Sequence, residues 1–366
     1  MFRTILTVFL ILTVLLVLAV PALAGDPLPD GLAWLKTQQQ ADGGFTNGFS
    51  AGSDLGTTCD VVLAIAAGGQ DASTWASGGG KSPLDYLSAQ VTGGAANTLG
   101  LKAKAILALL ATGQDPAAFA GSDLIAELNA AYDQDAGKYG ETIFDHALVV
   151  LALSNAGQAV PDQVVQYLLD NQSGAGWWAL FAGADSAGDT NTTALAVQAL
   201  VATGQRADLG AAFTYLHGVQ NEDGGFPYQN PSDYGTDTDA NSTAVVLQAL
   251  LAAGEPLSEW SPEGKSPLDA LNGLYDPDSG AFLWQAAVPG PNVLATAQAI
   301  PALAGYTFVD LPHVEAASVP APAAPGSVPL PESGGAAWLP VGLIALGAGA
   351  LGTGIALRRR RPVRVS

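Results

Sequence analysis

The feature that most limits how this chain can fold is an apolar run ending in glycine, written six times. The runs VVLAIAAGGQD, AILALLATGQD, VVLALSNAGQA, AVQALVATGQR, VLQALLAAGEP and AIPALAGYTF carry their stop glycines at Gly69, Gly113, Gly157, Gly204, Gly254 and Gly305. Successive spacings are 44, 44, 47, 50 and 51 residues. Glycine just past an apolar periodic run marks a helix C-terminus, because it enters the left-handed conformation at little cost. A second helix lies in each interval, and its end follows the pattern aromatic-Leu-x3-Gln-x3-Gly-x-aromatic. The full copies are Trp34 to Phe45, Tyr167 to Trp178 and Tyr215 to Phe226, with weaker endings at Gly137-Lys138-Tyr139 and Gly280-Ala281-Phe282. Two helices per period of this length mean a helical-pair repeat, stacked as an open solenoid or closed on itself. Six copies predict closure: an all-α double ring of six helical hairpins, with the inner helices around a central cavity. Abundant alanine favours helix and lets neighbours approach closely.

The Gln-to-aromatic signature resembles the QW repeat of squalene–hopene cyclases. The six-pair plan is similar to the α/α-toroid superfamily, which takes in terpenoid cyclases, protein prenyltransferase β subunits, transcobalamin and intrinsic factor. The resemblance spans about Leu32 to Tyr306. It implies an (α/α)6 toroid and leaves activity open, since function resides in sites rather than folds.

Fifteen residues before their stop glycines stand Asp54, Asp189 and Asp239, and eleven before stand Thr58, Thr193 and Thr243. These aspartates fall where an inner helix begins, so each is expected to cap it, accepting orphan amides and meeting the positive end of the helix dipole. The same stretches, DTNTTA and DANSTA, resemble the Asp-x-Asp-Asp-Thr-Ala motif of class II terpene cyclases, whose central acid supplies a proton. Here that acid is Asn191 or Asn241, followed by Thr192 or Ser242. An amide is no Brønsted acid toward an alkene, so the resemblance stops short of that chemistry. Prenyltransferase chemistry needs a zinc held by Asp, Cys and His. The one cysteine, Cys59, and the histidines His146, His217 and His313 form no such ligand set. Asp145 and His146 open the third inner helix as a cap with a polar neighbour, or as an acid–base pair or ligand set. Asp133-Gln-Asp135 and Asp276-Pro-Asp278 read as turns, since neither fits a calcium-loop spacing.

The chain's ends concern location. Residues 1–24 form a basic start, an apolar run and Ala22-Leu23-Ala24, the pattern of a secretory signal. Residues 25–312 hold the toroid. Residues 313–333 are a Pro/Ala-rich stalk ending in Leu330-Pro331-Glu332-Ser333-Gly334, and residues 334–357 are long and apolar enough for a transmembrane helix. The basic tail 358–366 is expected to stay cytoplasmic. The order pentapeptide, apolar span, basic tail resembles a cell-wall sorting signal read by a sortase, with Ser333 where the family has Thr. That resemblance implies a cut between Ser333 and Gly334. The expected setting is the cell surface, membrane-anchored or wall-attached.

Between Asp26 and Glu332 lie all 33 acidic residues and only seven basic ones, a net charge near −26. Such a field disfavours nucleic acid and anionic lipid as partners. With one cysteine no intrachain disulfide forms, so packing alone must hold the exported part. The primary expectation is a non-catalytic module binding a small amphipathic ligand (corrinoid, terpenoid or glycan), with no cofactor of its own. The expected lining is Asp54, Asp145, His146, Trp177, Trp178, Asp189, Asn191, Tyr228, Tyr234, Asp239, Asn241 and Trp284. The alternatives are a cyclase-like or glycan-processing enzyme using Asp145, Asp189 or Asp239 (with His146 as a further catalytic candidate), and a structural or adhesive spacer.

Overall fold

A computed structural model describes residues 25–48, 52–183, 187–206, 209–233 and 235–314. The secretory signal, most of the stalk, the pentapeptide and the apolar span lie outside the described residues. Among those described, no helix is long and apolar enough to cross a membrane.

Among the described residues twelve α-helices alternate between two layers. The outer ones are α1 (Pro27–Gln38), α3 (Pro83–Thr92), α5 (Leu124–Ala130), α7 (Asp162–Asp170), α9 (Gly210–Val219) and α11 (Pro267–Gly273). The inner ones are α2 (Leu55–Ala67), α4 (Leu99–Ala111), α6 (Ile143–Asn155), α8 (Thr190–Ala202), α10 (Ala240–Ala253) and α12 (Val293–Leu303). Each inner helix packs on the next, and α12 returns to pack on α2, so the array is closed. The outer layer closes too, with α1 seated on α12 and Tyr275 Oη donating to Asp30 Oδ2 at 2.7 Å. Inner helices are buried almost throughout, which is why their sequences are apolar on every side. The stop glycines all adopt positive φ, from 67° at Gly69 to 82° at Gly305.

The Gln-x3-Gly signature is a clamp. The amides of Gln39, Gln172 and Gln220 donate to the carbonyls of Gly43, Gly176 and Gly224 at 2.8 to 3.0 Å. A Cβ on any of these glycines would collide with backbone of the next repeat, at Ser82, Ala211 or Lys265. The signature aromatic is then fixed twice. The N–H groups of Phe45, Trp178, Phe226 and Phe282 donate to Thr58, Thr193, Thr243 and Thr296 at 3.0 Å. Their carbonyls accept from the inner-helix cap residues Asp54, Asp189, Asp239 and Asn292. In the third and sixth repeats the turn tightens into two-residue antiparallel ladders, Tyr132–Asp133 with Lys138–Tyr139 and Tyr275–Asp276 with Ala281–Phe282. These are the only strands among the described residues, a small addition to an otherwise all-α fold.

Cys59 is fully buried in α2, and burial pushes its thiol far above the ordinary range. Since the thiolate is the reactive form, a maleimide should leave the native protein unlabelled and modify one site only after denaturation; labelling of the native chain would contradict this packing.

Candidate functional site

The ring encloses one bowl, whose wall follows a register countable from the stop glycines. Nine residues before them stand Asp60, Lys104, Leu148, Leu195 and Val245, all in the wall. Thirteen before stand Phe144, Asn191 and Asn241, one turn nearer the inner-helix N-termini. The threonine that anchors each aromatic aligns Gln298 of the shorter α12 with Asp60. An i, i+4 stripe on each inner helix therefore faces the axis. The opposite end is closed by the segment after α12. Tyr306, Phe308, Leu311 and Pro312 lie in the bowl. Phe308 N–H donates to Gln198 Oε1 at 2.9 Å and its carbonyl accepts from Asn155 at 2.7 Å. Gln248 donates to the Tyr306 carbonyl, and Val314 N–H to that of Ala111. Above this floor the space wide enough for water is about 70 Å³, and it reaches about 680 Å³ only when gaps between atoms and the open solvent at the mouth are counted in.

One polar chain crosses the otherwise mainly apolar wall. Lys104 Nζ lies 2.9 and 2.7 Å from the two oxygens of buried Asp60. Gln298 donates to Asp60 Oδ2 at 3.2 Å, and Asn241 donates to Gln298 Oε1 at 2.8 Å. Burial opposes the charge on Lys104, but the Asp60 carboxylate outweighs it and holds the ammonium pKa above its usual value. Asn191 Oδ1 is buried without a hydrogen-bond partner. An unmatched amide oxygen in a cavity wall is an acceptor awaiting a donor.

Of the expected lining, Asn191 and Asn241 are in the wall, and the caps are not. Asp54 accepts from the N–H and hydroxyl of Thr57 at 2.7 Å. Asp189 Oδ1 accepts from Thr192 N–H at 2.7 Å, and Asp239 accepts from both N–H and hydroxyl of Ser242. A cap turns back on its own helix, so its carboxyl cannot also face the axis. Burial raises the pKa values of Asp189 and Asp239 despite these bonds. Asp189 Oδ2 has no hydrogen bond, and the buried hydroxyls of Thr190 and Tyr215 close by face only each other. This group lies at the interface of α8 and α9, behind the bowl wall.

Asp145 and His146 also fall outside the bowl. The Asp145 carboxylate fills the space beside Gly100 of α4, where burial raises its pKa. His146 occupies the place that threonine takes in other repeats. Tyr139 N–H donates to its Nδ1 at 3.0 Å, and its Nε2 lies 3.0 Å from the Val164 carbonyl. A donor at one nitrogen and an acceptor at the other select the neutral Nε2–H tautomer. Burial lowers its pKa to about 4. Trp178 is core, its indole N–H on the Leu168 carbonyl at 2.7 Å, and Trp177 packs on Gly188. Tyr228 and Trp284 stand exposed on the rim. Tyr234 lies outside the described residues. No group of three or more His, Cys, Asp or Glu fit to hold a metal occurs among the described residues.

The sequence reading passed over Asp60, Lys104 and Gln298. The available signal was two charges at one register inside otherwise apolar inner helices. Choosing the capping register instead put the search one to two turns too high.

No protein-family model matches the chain, and no curated protein matches it. Solved structures do share the fold. Haptocorrin in complex with Cbi superposes over 80% of this chain and 69% of its own, at 19% identity and TM-score 0.51. The type II terpene cyclase MstE from Scytonema, with geranylgeranyl dihydroxybenzoate, superposes over 76% and 96% at 14% identity and TM-score 0.51. Unsaturated glucuronyl hydrolase from Bacillus sp. GL1, responsible for the degradation of glycosaminoglycan, superposes over 76% and 95% at 14% identity and TM-score 0.53. These are α/α-toroid proteins, and the chain has their fold.

Proposed function

We propose that this chain is an exported, surface-anchored binding module that holds a small amphipathic ligand in the bowl. One observation carries the reading: among the described residues the only carboxylate in the lining is Asp60, and it is neutralised by Lys104. A wall of leucine, valine and phenylalanine with a few convergent amides suits an apolar body with a hydrogen-bonding edge. Asn191 Oδ1 calls for a donor, so the ligand presents a hydroxyl or N–H there. That chemistry is open to a corrinoid, a terpenoid or a glycan, as are the ligands of the fold neighbours. The leader, stalk, apolar span and basic tail in the sequence support display outside the cell, with attachment by the span or by a sortase.

Native mass spectrometry of the full chain, purified gently from its own membranes, tests this. The expected result is a mass above that of the polypeptide. Asn191→Leu should then weaken the identified ligand about tenfold, the size of one lost hydrogen bond. An empty bowl would turn the reading toward a spacer. A second reading rests on the buried Asp189 carboxyl, whose Oδ2 is left unbonded by the cap: an enzyme that uses it as an acid. It requires Asp189→Asn to abolish turnover of the bound compound.

A further inference from the structure

The mouth of the bowl carries a feature that the central ligand does not use. Leu180, Tyr228 and Trp284 each lie two residues beyond the buried aromatic of their repeat. Their carbonyls accept the first amide of the preceding inner helix: Ile143 on Leu180 at 2.8 Å, Thr190 on Tyr228 at 2.8 Å and Ala240 on Trp284 at 2.9 Å. The backbone is thus pinned at one equivalent place in three consecutive repeats. The side chains instead stand in water, with Tyr228 48% and Trp284 41% exposed, and Phe181 beside Leu180 54% exposed. In the first and third repeats the same place holds Asn47 and Glu141. The result is a crescent of exposed apolar side chains along one side of the mouth, aromatic at Tyr228 and Trp284 and leucine at the third place, with Phe181 beside it. Its members are spaced as the inner helices are, roughly 8–10 Å per repeat.

The surroundings select an occupant. Exposed Asn230, Asp233 and Asp237 follow Tyr228 in the chain, and Gln285, next to Trp284, donates to the Asp237 carbonyl at 3.5 Å, so polar groups lie beside the rings. The acidic field opposes an anionic membrane or nucleic acid. Flat, pinned aromatics interleaved with carboxylates and amides fit a molecule with apolar C–H faces and hydroxyl edges that recur at regular distance. We propose that the crescent binds a neutral polysaccharide strand laid across the mouth, independently of whatever fills the bowl. Tyrosine and tryptophan suit this role, giving large contact area while losing little side-chain freedom, and their fixed backbones lower the ordering cost further.

The full chain, applied in detergent to an array of neutral glycans, should bind a subset of linear polymers and retain that binding in high salt. Trp284→Ala and Tyr228→Ala should each weaken it about tenfold, and the pair together about a hundredfold. Both positions are exposed, so thermal melting should be unchanged. Asn191→Leu should leave glycan binding as it was. The proposal is overturned if the wild-type chain binds no neutral glycan, if binding is abolished by salt, or if the double variant binds as well as wild type. None of these results touches the bowl, whose ligand is read separately by native mass spectrometry.

Discussion

Replacing Lys104 with methionine should destabilise the ring by about 3–5 kcal/mol, the cost of leaving one partner of a buried ion pair alone. The reason is position. Asp60 is 3% exposed, and among the described residues no cation but Lys104 lies within bonding distance. Its remaining contact is the Gln298 amide, reached across the α2–α12 seam, so the network joins α4, α2, α12 and α10 in one chain of bonds. Denaturant unfolding of the full chain in detergent would read the loss. The decisive variant is the double one, Lys104→Met with Asp60→Leu. Removing both charges eliminates the desolvation penalty along with the attraction, so most of the stability should return. A single variant that loses less than about 1 kcal/mol, the value of an exposed pair, would mean that water reaches Asp60 and that the bowl is wetter than its wall implies.

Acid should expose the second large effect. His146 is neutral in the folded ring, with its pKa lowered to about 4, whereas an unfolded chain protonates near 6.5. As pH falls, the unfolded state takes the proton first. The contribution of His146 is therefore fully present above about pH 6.5 and is lost progressively on the way down to about 4. At 1.36 kcal/mol per unit the loss reaches about 3 kcal/mol. Asp145, Asp189 and Asp239 act in the opposite sense, because burial raises their pKa values and the folded state then binds the proton more tightly. The difference between wild type and His146→Gln isolates the histidine. Glutamine can accept from Tyr139 N–H and donate to the Val164 carbonyl without titrating. The variant should thus match wild type near pH 5 or exceed it below, and fall behind at neutral pH if its packing is poorer. Parallel stability curves for the two proteins would refute this account.

Much of the architecture is legible because the repeat is punctuated by residues with one physical solution each. A helix that must reverse through positive φ takes glycine, as at Gly69 and its five counterparts. A turn held by a side-chain amide needs glutamine four residues ahead, as with Gln39 and Gly43. Counting six copies was enough to expect closure. The site is less legible because two demands share the inner-helix N-terminus. Asp189 reads equally as a cap or as the first acid of a catalytic motif, and only coordinates reveal that its bonded oxygen turns back to Thr192. His146 looks like chemistry in sequence and proves to stand where threonine stands elsewhere. The floor of the bowl has no sequence signature at all. Tyr306 to Pro312 is irregular chain, without period or motif, and is placed by single bonds from Gln198, Asn155 and Gln248.

The seating of α1 against α12 has a consequence for biogenesis. The first helix of the ring to emerge during synthesis finds its permanent neighbour only when the ring's last helix has been made, a wait spanned in the finished molecule by the Asp30–Tyr275 bond across 245 positions. Until then each nascent intermediate is an unfinished arc with two raw apolar ends, the kind of surface that invites association with a sibling chain. Losing the sixth hairpin would strand both termini at once rather than shorten the molecule by a sixth, so tolerance to truncation should be far lower here than in a linear array of the same hairpins.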